Sequence, residues 1–172
     1  MGDASLKPFF TPQGVAIIGA SSDANKLGYA LARNLLQSDF RQPVYFINSK
    51  GEKLFDRLIY PDISMVPDPV DLAIILIPAP AIPKVLTACG QRGIRAAIIC
   101  SGGFRETGAD GARLEEQCLA IAQEYSIRLI GPNCIGVLDT HLPINTTFLT
   151  PPGPQPGDIA LISHSGSLRD RD

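Results

Sequence analysis

The residues best suited to bind a charged ligand follow the first apolar run of the chain. The segment reads Gly19-Ala20-Ser21-Ser22 and continues to Lys26. Small residues let backbone N–H groups approach an anion closely, and the start of a following helix adds positive potential. The serine hydroxyls and the Lys26 ammonium can add donors. The segment lacks the G-x-G-x-x-G pattern and could be a turn with small residues for packing alone, but its position favours a phosphate-binding loop.

A second polar group, Asn48-Ser49-Lys50, follows the second apolar run. Enzymes that use NAD place Asp or Glu at this point to bind the ribose hydroxyls, whereas here no acid precedes Glu52. A lysine attracts a phosphorylated ribose instead. Coenzyme A carries a 3′-phosphate and NADP a 2′-phosphate, so both fit and NAD fits poorly. The alternative is that Lys50 is an ordinary solvated loop lysine.

The turns that follow the later apolar runs could let a ligand approach the backbone closely or give it a rigid apolar surface. Pro78 and Pro80 stiffen a loop without donating hydrogen bonds, which suits a flat surface beside adenine or a pantetheine arm. The Ser101-Gly102-Gly103 turn admits a ligand to the backbone, and Asn133 can cap a turn or face the ligand. We interpret Glu106 as a solvent-facing residue near a helix start rather than a catalytic acid.

Each of these turns follows a short apolar run, and the runs alternate with amphipathic stretches. Runs without polar alternation are typical of strands buried on both faces of a parallel sheet. The predicted strands are Val15–Gly19, Val44–Asn48, Leu72–Ile77, Ala96–Cys100 and Ile127–Ile130, and the predicted helices are Leu27–Gln37, Ile82–Gln91 and Ala112–Tyr125. This order predicts an α/β fold, a Rossmann-like doubly wound and mainly parallel sheet with helices on both faces. Ligands of such sheets bind past the carboxyl ends of the strands.

The remaining segments predict little regular structure before a domain boundary. Prolines restrict residues 49–71 to a short helix, and residues 135–149 suggest irregular or short antiparallel structure. From Thr150 the chain is rich in Pro and Gly, as a linker is. The apolar run Ile159–Ile162, followed by small residues, predicts the first strand of a second α/β unit. We therefore expect one domain over residues 1–149 and, over residues 150–172, a linker and the truncated start of another.

Composition and charge exclude several classes of protein. Of the 172 residues, 45% are hydrophobic and 19% charged, which excludes intrinsic disorder. The net charge of -2 gives no support to a nucleic-acid or membrane-surface partner. No apolar run is long enough to span a membrane and no secretory signal is visible, so we expect a cytoplasmic protein. The cysteines at 89, 100, 118 and 134 lack zinc-site spacing and are expected to be buried, reduced thiols; we predict no metal site.

Taken together, these motifs resemble the CoA-binding domain of the NDP-forming acyl-CoA synthetases, which include ADP-forming acetate–CoA ligase and the succinyl-CoA synthetase alpha subunit. The resemblance covers nearly the whole chain. Its segments are Val15–Ser22, Gly28-Tyr29, Asn48-Ser49-Lys50, Asp71–Ile74, Pro78-Ala79-Pro80, Ser101–Gly108, Ile130–Gly136 and Ile162–Gly166. One departure is Ser49, where the family usually has proline.

The resemblance implies coenzyme A, or its acyl thioester, as the ligand. It assigns the CoA phosphates to the glycine/serine loop near Ser21 and Ser22, the phosphorylated ADP moiety to Lys50, and the pantetheine or pyrophosphate side to the Ser101–Gly103 turn and Asn133. The residues themselves add Gly19, Ala20, Lys26, Asn48 and Pro78 as candidate CoA-binding positions. The family's phosphorylated histidine lies in the next domain, and His164 does not match it. We therefore expect this chain alone to bind CoA without turnover. ATP or ADP, Mg²⁺ and an ATP-grasp subunit or domain belong to the full-length enzyme, and a homo-oligomer is compatible with the sequence.

Other functions share these residues. Some protein lysine acetyltransferases carry the same module, and a stand-alone CoA- or nucleotide-sensing module needs no further domain. An NADP-dependent dehydrogenase explains Lys50 but not the wider resemblance.

Overall fold

The computed structural model describes residues 6–50 and 53–163 and is organised around a seven-stranded sheet. The strands lie in the order β3-β4-β2-β1-β5-β6-β7. Their bounds are β1 Val15–Ile18, β2 Val44–Ile47, β3 Lys53–Leu54, β4 Arg57–Tyr60, β5 Leu72–Ile75, β6 Ala96–Ile99 and β7 Arg128–Ile130. All neighbours pair in parallel except β3, which runs antiparallel to β4 at the edge.

Helices cover both faces, which confirms the predicted doubly wound fold. α2 (Leu27–Gln37) packs on one face, and α3 (Ile82–Gln91) and α4 (Ala109–Glu124) pack on the other. Side chains of β1 alternate between the two layers, with Val15 and Ile17 on the α2 side and Ala16 and Ile18 on the α3 and α4 side. A short helix, α1 (Lys7–Phe10), adds the buried Phe9 to the α2 layer. Burial on both faces explains why these strands read as continuous apolar runs.

The predicted helices α2 and α3 have the observed bounds, while α4 begins earlier than predicted, at Ala109. The predicted strands are each observed one or two residues shorter. Residues 49–71 hold more structure than predicted, because β3 and β4 form a hairpin there and a single 3₁₀ turn, Ile63–Met65, follows. Phe55 and Asp56, which form the turn between β3 and β4, both have positive φ. Arg57 and Leu58 of β4 are exposed, so this edge strand lacks the apolar run that marked the central strands.

A second, two-stranded antiparallel sheet follows β7, which is one of the two alternatives predicted for residues 135–149. β8 (Leu138–Asp139) pairs with β9 (Ile144–Asn145), and Ile144 is buried in the α2 layer. The buried Asn34 of α2 donates through Nδ2 to the carbonyl oxygens of Thr147 at 2.9 Å and Leu149 at 2.7 Å. This amide therefore fixes the segment after β9 against the helix.

Residues 150–163 form no helix or strand and are exposed throughout. The prediction of a strand at Ile159–Ile162 is wrong in this structure: Ile159 is 94% and Ile162 97% exposed. A strand needs a neighbour for its backbone groups, and no segment of the described residues supplies one. His164 and the rest of the predicted small-residue turn lie outside the described residues. No helix in the described ranges is long and apolar enough to cross a membrane.

Candidate functional site at the carboxyl edge of the sheet

The carboxyl ends of β1 and β5 form the point where successive crossovers leave on opposite faces of the sheet. Gly19 follows β1 with φ +100°, and a Cβ there would lie 2.1 Å from the carbonyl oxygen of Leu76, which follows β5. Gly28 in the first turn of α2 packs against Gly19, since its Cβ would lie 2.2 Å from the Gly19 carbonyl oxygen. These glycines bring the N-terminal end of α2 against the switch point, where ligands of such sheets bind.

The loop between β1 and α2 is held by its own side chains. The Ser21 hydroxyl oxygen accepts from the Asp23 N–H at 3.1 Å, and the Asp23 carboxylate accepts from the Asn25 N–H at 3.0 Å. The residue preceding α2 is Lys26, and no side chain of the described residues caps this helix. Ser22 and Lys26 are exposed and Ser21 is partly so. The helix end therefore presents backbone donors beside a lysine and two hydroxyl groups.

Asn48 joins the loops that follow β1 and β2. Its Nδ2 donates to the Ala20 carbonyl oxygen at 2.7 Å, and its Oδ1 accepts from the Lys50 N–H at 2.9 Å. Both polar atoms of the Asn48 side chain therefore have partners inside the chain. Lys50 itself is exposed at the same edge. The structure thus places the predicted residues Gly19, Ala20, Ser21, Ser22, Lys26, Asn48 and Lys50 on two linked loops.

The loops after β5, β6 and β7 form a second group. The Ser101 hydroxyl donates to the Ile77 carbonyl oxygen at 2.6 Å, which ties the β6 loop to the residue before Pro78. The Asn133 N–H donates to the Ser101 carbonyl oxygen at 3.0 Å. A Cβ on Gly102 would lie 3.4 Å from the Asn133 Oδ1. The predicted residues Pro78, Ser101, Gly102 and Asn133 are therefore neighbours, with Pro78, Gly102 and Asn133 exposed.

Glu106 takes a structural role that the sequence prediction missed. Its Oε1 accepts from the Gly103 N–H at 2.6 Å and would lie 3.1 Å from a Cβ on Gly102. The hydrogen bond from the Gly103 N–H holds the pKa of the Glu106 carboxyl below its ordinary value. The carboxylate thus stabilises the turn beside Asn133. A glutamate three residues after a glycine turn, as in a capping box, was the sequence signal for this contact.

The two groups of loops meet at the close approach of Gly19 to Leu76, and they occupy one edge of the sheet. Nearly every residue predicted for the site is small, amide, hydroxyl or lysine, which are donors and close-approach positions rather than catalytic acids or bases. Within the described ranges, no cluster of three or more His, Cys, Asp and Glu residues could hold a metal ion. The arrangement suits the binding of an extended anionic ligand.

A cavity of about 220 Å³ lies elsewhere, between the C-terminal half of α2 and the segment after β9. Asn34, Gln37, Asn145, Thr147 and Leu149 are among its lining residues. None of the predicted site residues line it, so this cavity and the carboxyl edge are separate features.

The chain matches the family model described as the CoA binding domain over residues 13–140. It is 41% identical over 163 residues to the alpha subunit of an ADP-forming acetate–CoA ligase (II) of Pyrococcus furiosus, covering 95% of this chain and 35% of that subunit. It is 42% identical over 166 residues to the ADP-forming acetate–CoA ligase of Methanocaldococcus jannaschii, covering 96% of this chain and 23% of that enzyme. The chain therefore spans about a third or less of these relatives.

Solved structures agree with the sequence matches. The dinucleotide forming acetyl-coenzyme A synthetase 1 of Ca. Korarchaeum cryptofilum, in complex with phosphate and ADP, superposes with a TM-score of 0.80 at 37% identity, covering 84% of this chain and 31% of that one. Its apo form gives a TM-score of 0.79 at 38% identity. Identity and fold both point to the same group of proteins.

Proposed function

The chain belongs to the CoA-binding domain family, and on that premise we propose that coenzyme A lies along the carboxyl edge of its sheet. The observation that carries this proposal is the linkage of the loops after β1 and β2 by Asn48, whose side chain binds the Ala20 carbonyl oxygen and the Lys50 N–H. The loop that leads into α2 is thereby joined to the loop that carries Lys50, and a ligand with separate phosphate groups can use both the helix donors and the lysine.

In this proposal the pyrophosphate lies at the loop of Gly19, Ala20, Ser21, Ser22 and Lys26. The residues fit such an anion because the buried Ala20 and the close packing of Gly28 on Gly19 hold the helix end near the strand end. The exposed side chains of Ser22 and Lys26 supply hydrogen-bond donors for the pyrophosphate oxygens. A Cβ at Gly19 or Gly28 would lie 2.1 or 2.2 Å from a backbone carbonyl oxygen, far inside van der Waals contact, so the cradle requires glycine there.

Lys50 is proposed to contact the 3′-phosphate of the ADP moiety, and Asn48 to hold Lys50 in place. The Asn48 amide shapes this part of the site because its two polar atoms already bind Ala20 and the Lys50 backbone. No carboxylate occupies the position where NAD enzymes need one. This arrangement favours a phosphorylated ribose over an unmodified one.

The second group of loops is proposed to line the pantetheine side. Pro78 offers an exposed apolar surface, while the Gly102 backbone and the Asn133 amide lie next to each other for polar contacts along the arm. Lacking Cβ atoms at 102 and 103, the loop leaves room between Asn133 and Ala79. Coenzyme A supplies the thiol that accepts the acyl group, and the residues of this chain bind and orient it.

We further propose that the chain is the CoA-binding part of an ADP-forming acyl-CoA synthetase of the acetate–CoA ligase type. In the whole protein an acyl phosphate would form, pass its phosphoryl group to a histidine outside this chain, and transfer its acyl group to CoA; ATP, Mg²⁺ and an ATP-grasp subunit or domain would act in those steps. The ligase names of the relatives described above support this proposal, and those relatives give no support to the acetyltransferase alternative. The exposed segment 150–163 agrees with a domain that ends near residue 149.

Calorimetric titration of the chain with CoA, acetyl-CoA, NAD and NADP tests the ligand assignment. We expect CoA and acetyl-CoA to bind more tightly than either dinucleotide. Binding of NAD as tight as that of CoA would overturn the proposal, because the site would then not depend on a phosphorylated ribose.

A further inference from the structure

Two free cysteines follow adjacent strands at the carboxyl edge. Cys100 directly follows β6, and Cys134 lies in the loop after β7. Both side chains belong to the α2 layer of the core. The Asn133 N–H donates to the Ser101 carbonyl oxygen at 3.0 Å, and the Cys134 Sγ donates to the Ile99 carbonyl oxygen at 3.3 Å. Residues 133 and 134 are therefore bound to the residues on both sides of Cys100.

The two thiols also interact with each other: this interaction lowers the pKa of Cys134 and, together with burial, raises the pKa of Cys100. Cys134 is only partly buried, whereas Cys100 is 7% exposed. An oxidant therefore meets Cys134 first, and Cys134 is also the thiol that ionises more readily.

The other two cysteines differ from Cys134 in their burial and in the direction of their pKa shift. Cys89 in α3 and Cys118 in α4 lie in the layer on the opposite face of the sheet. Burial raises the pKa of Cys89 to about 12 and that of Cys118 to about 11. Because the thiolate is the form that reacts with oxidants, these raised pKa values disfavour the reactive form of both cysteines.

We propose that Cys100 and Cys134 form a peroxide-sensitive pair, with Cys134 as the reacting thiol and Cys100 as the resolving thiol. The Cys134 thiolate attacks one oxygen of H₂O₂, whose O–O bond breaks, leaving Cys134 sulfenic acid and hydroxide, and the hydroxide takes up the proton that the Cys134 thiol released on ionising and becomes water. The Cys100 sulfur then attacks the Cys134 sulfur, an S–S bond forms, and the hydroxyl leaves with the Cys100 proton as a second water. Two thiols are oxidised and one peroxide is reduced.

The disulfide would join the end of β6 to the loop after β7, on either side of the Asn133 contact with Ser101. It would replace the hydrogen bond from the Cys134 Sγ to the Ile99 carbonyl oxygen. The pair is thus a modification site on the same edge as the proposed CoA site. Its chemistry does not depend on CoA being the ligand.

Peptide mapping of the chain after brief treatment with H₂O₂, without CoA, tests the proposal. Of the four thiols, we expect two to be lost and recovered with dithiothreitol. A non-reducing tryptic digest should contain the peptide 96–105 joined to the peptide 129–169. Because this result comes from the unaltered chain, it does not depend on whether a variant folds.

Cys134→Ser should abolish the link, while the matched buried control Cys118→Ser should keep it. Circular dichroism of both variants checks that they fold. A Cys134 sulfinic acid with Cys100 still free would overturn the proposal, as would a link that includes Cys89 or Cys118, or four unmodified thiols under conditions that oxidise free glutathione. Since CoA is absent, none of these outcomes bears on the proposed ligand.

Discussion

The Asn48 amide donates a hydrogen bond to the Ala20 carbonyl oxygen at 2.7 Å and so joins the loops after β1 and β2. The Asn48 Oδ1 accepts from the Lys50 N–H at 2.9 Å, so the same side chain also sets the path of the backbone at Lys50. The loop proposed to bind the pyrophosphate and the lysine proposed to contact the 3′-phosphate are therefore joined through one side chain.

Asn48→Asp should disturb this link, because a carboxylate cannot donate to the Ala20 carbonyl and repels it. We expect the free energy of unfolding to fall by about 1–3 kcal/mol, as for a part-buried hydrogen bond that loses its donor. CoA affinity should fall about tenfold, equivalent to ~1.4 kcal/mol. Urea denaturation and calorimetry measure the two effects.

The matched control for this substitution is Gln42→Glu, which adds the same charge to an exposed residue before β2. Its free energy of unfolding should change by less than about 0.5 kcal/mol. Equal destabilisation by both substitutions would mean that the added charge, and not the link to Ala20, matters.

Lys50→Ala should weaken CoA more than dephospho-CoA, which lacks the 3′-phosphate. A charge-assisted contact with phosphate contributes roughly 1.5–3 kcal/mol when shielded, so we expect about a tenfold to hundredfold loss for CoA. Dephospho-CoA should change little. Lys53→Ala, at an exposed position in β3, is the control and should leave both affinities unaltered. A parallel loss for both ligands would indicate damage to the loop instead of a lost phosphate contact.

Asn34→Leu should destabilise the fold without affecting CoA. The substitution leaves the Thr147 and Leu149 carbonyl oxygens without their amide donor, which costs about 1–3 kcal/mol for each group that stays buried. Because Asn34 lies beside the separate cavity, CoA affinity should persist in the folded variant. Thermal denaturation should show a lower midpoint for Asn34→Leu than for Gln37→Leu, an exposed position on the same helix. Equal midpoints would show that the Asn34 contacts do not contribute.

Glu106 should titrate below the ordinary pKa of a glutamate, because the Gly103 N–H binds its ionised form. A carboxyl with a lowered folded-state pKa contributes stability that is complete above its unfolded pKa and is lost as the pH falls through the folded value. Carbon-13 NMR of the side-chain carboxyl measures the pKa directly. Glu106→Gln should remove this part of the acid sensitivity, and an ordinary pKa for Glu106 would contradict the bond to Gly103.

The central sheet could be predicted from the sequence because strands buried on both faces, such as Leu72–Ile75, carry an unbroken apolar pattern. The β3–β4 hairpin could not be predicted from the sequence, because Arg57 and Leu58 are exposed at the edge of the sheet. Its turn is formed by Phe55 and Asp56 and contains no glycine. The strand predicted at Ile159–Ile162 failed because apolar residues alone supply no pairing partner.

At the site, the positions of the loops could be predicted from the order of the strands. The side-chain contacts between the loops could not. The fold places the ends of parallel strands at one edge, so Gly19, Lys50, Ser101 and Asn133 were expected there. The Asn48 link to Ala20 depends on side-chain geometry that spacing does not encode, whereas the spacing of Glu106 three residues after Gly103 was a signal for the link between those two. The proximity of Cys134 to Cys100 likewise depends on the conformation of the turn after β7, which spacing does not reveal.

CoA is proposed to lie along the carboxyl edge of the sheet and to contact both groups of loops. Amide chemical-shift mapping of the ¹⁵N-labelled chain during a CoA titration locates the ligand residue by residue. We predict that the largest shifts occur at residues 19–28, 48–50, 101–103 and 131–134, with little change at Gly14 and Arg95 on the opposite edge. Shifts concentrated at residues 34–38 and 145–153, around the separate cavity, would contradict the account.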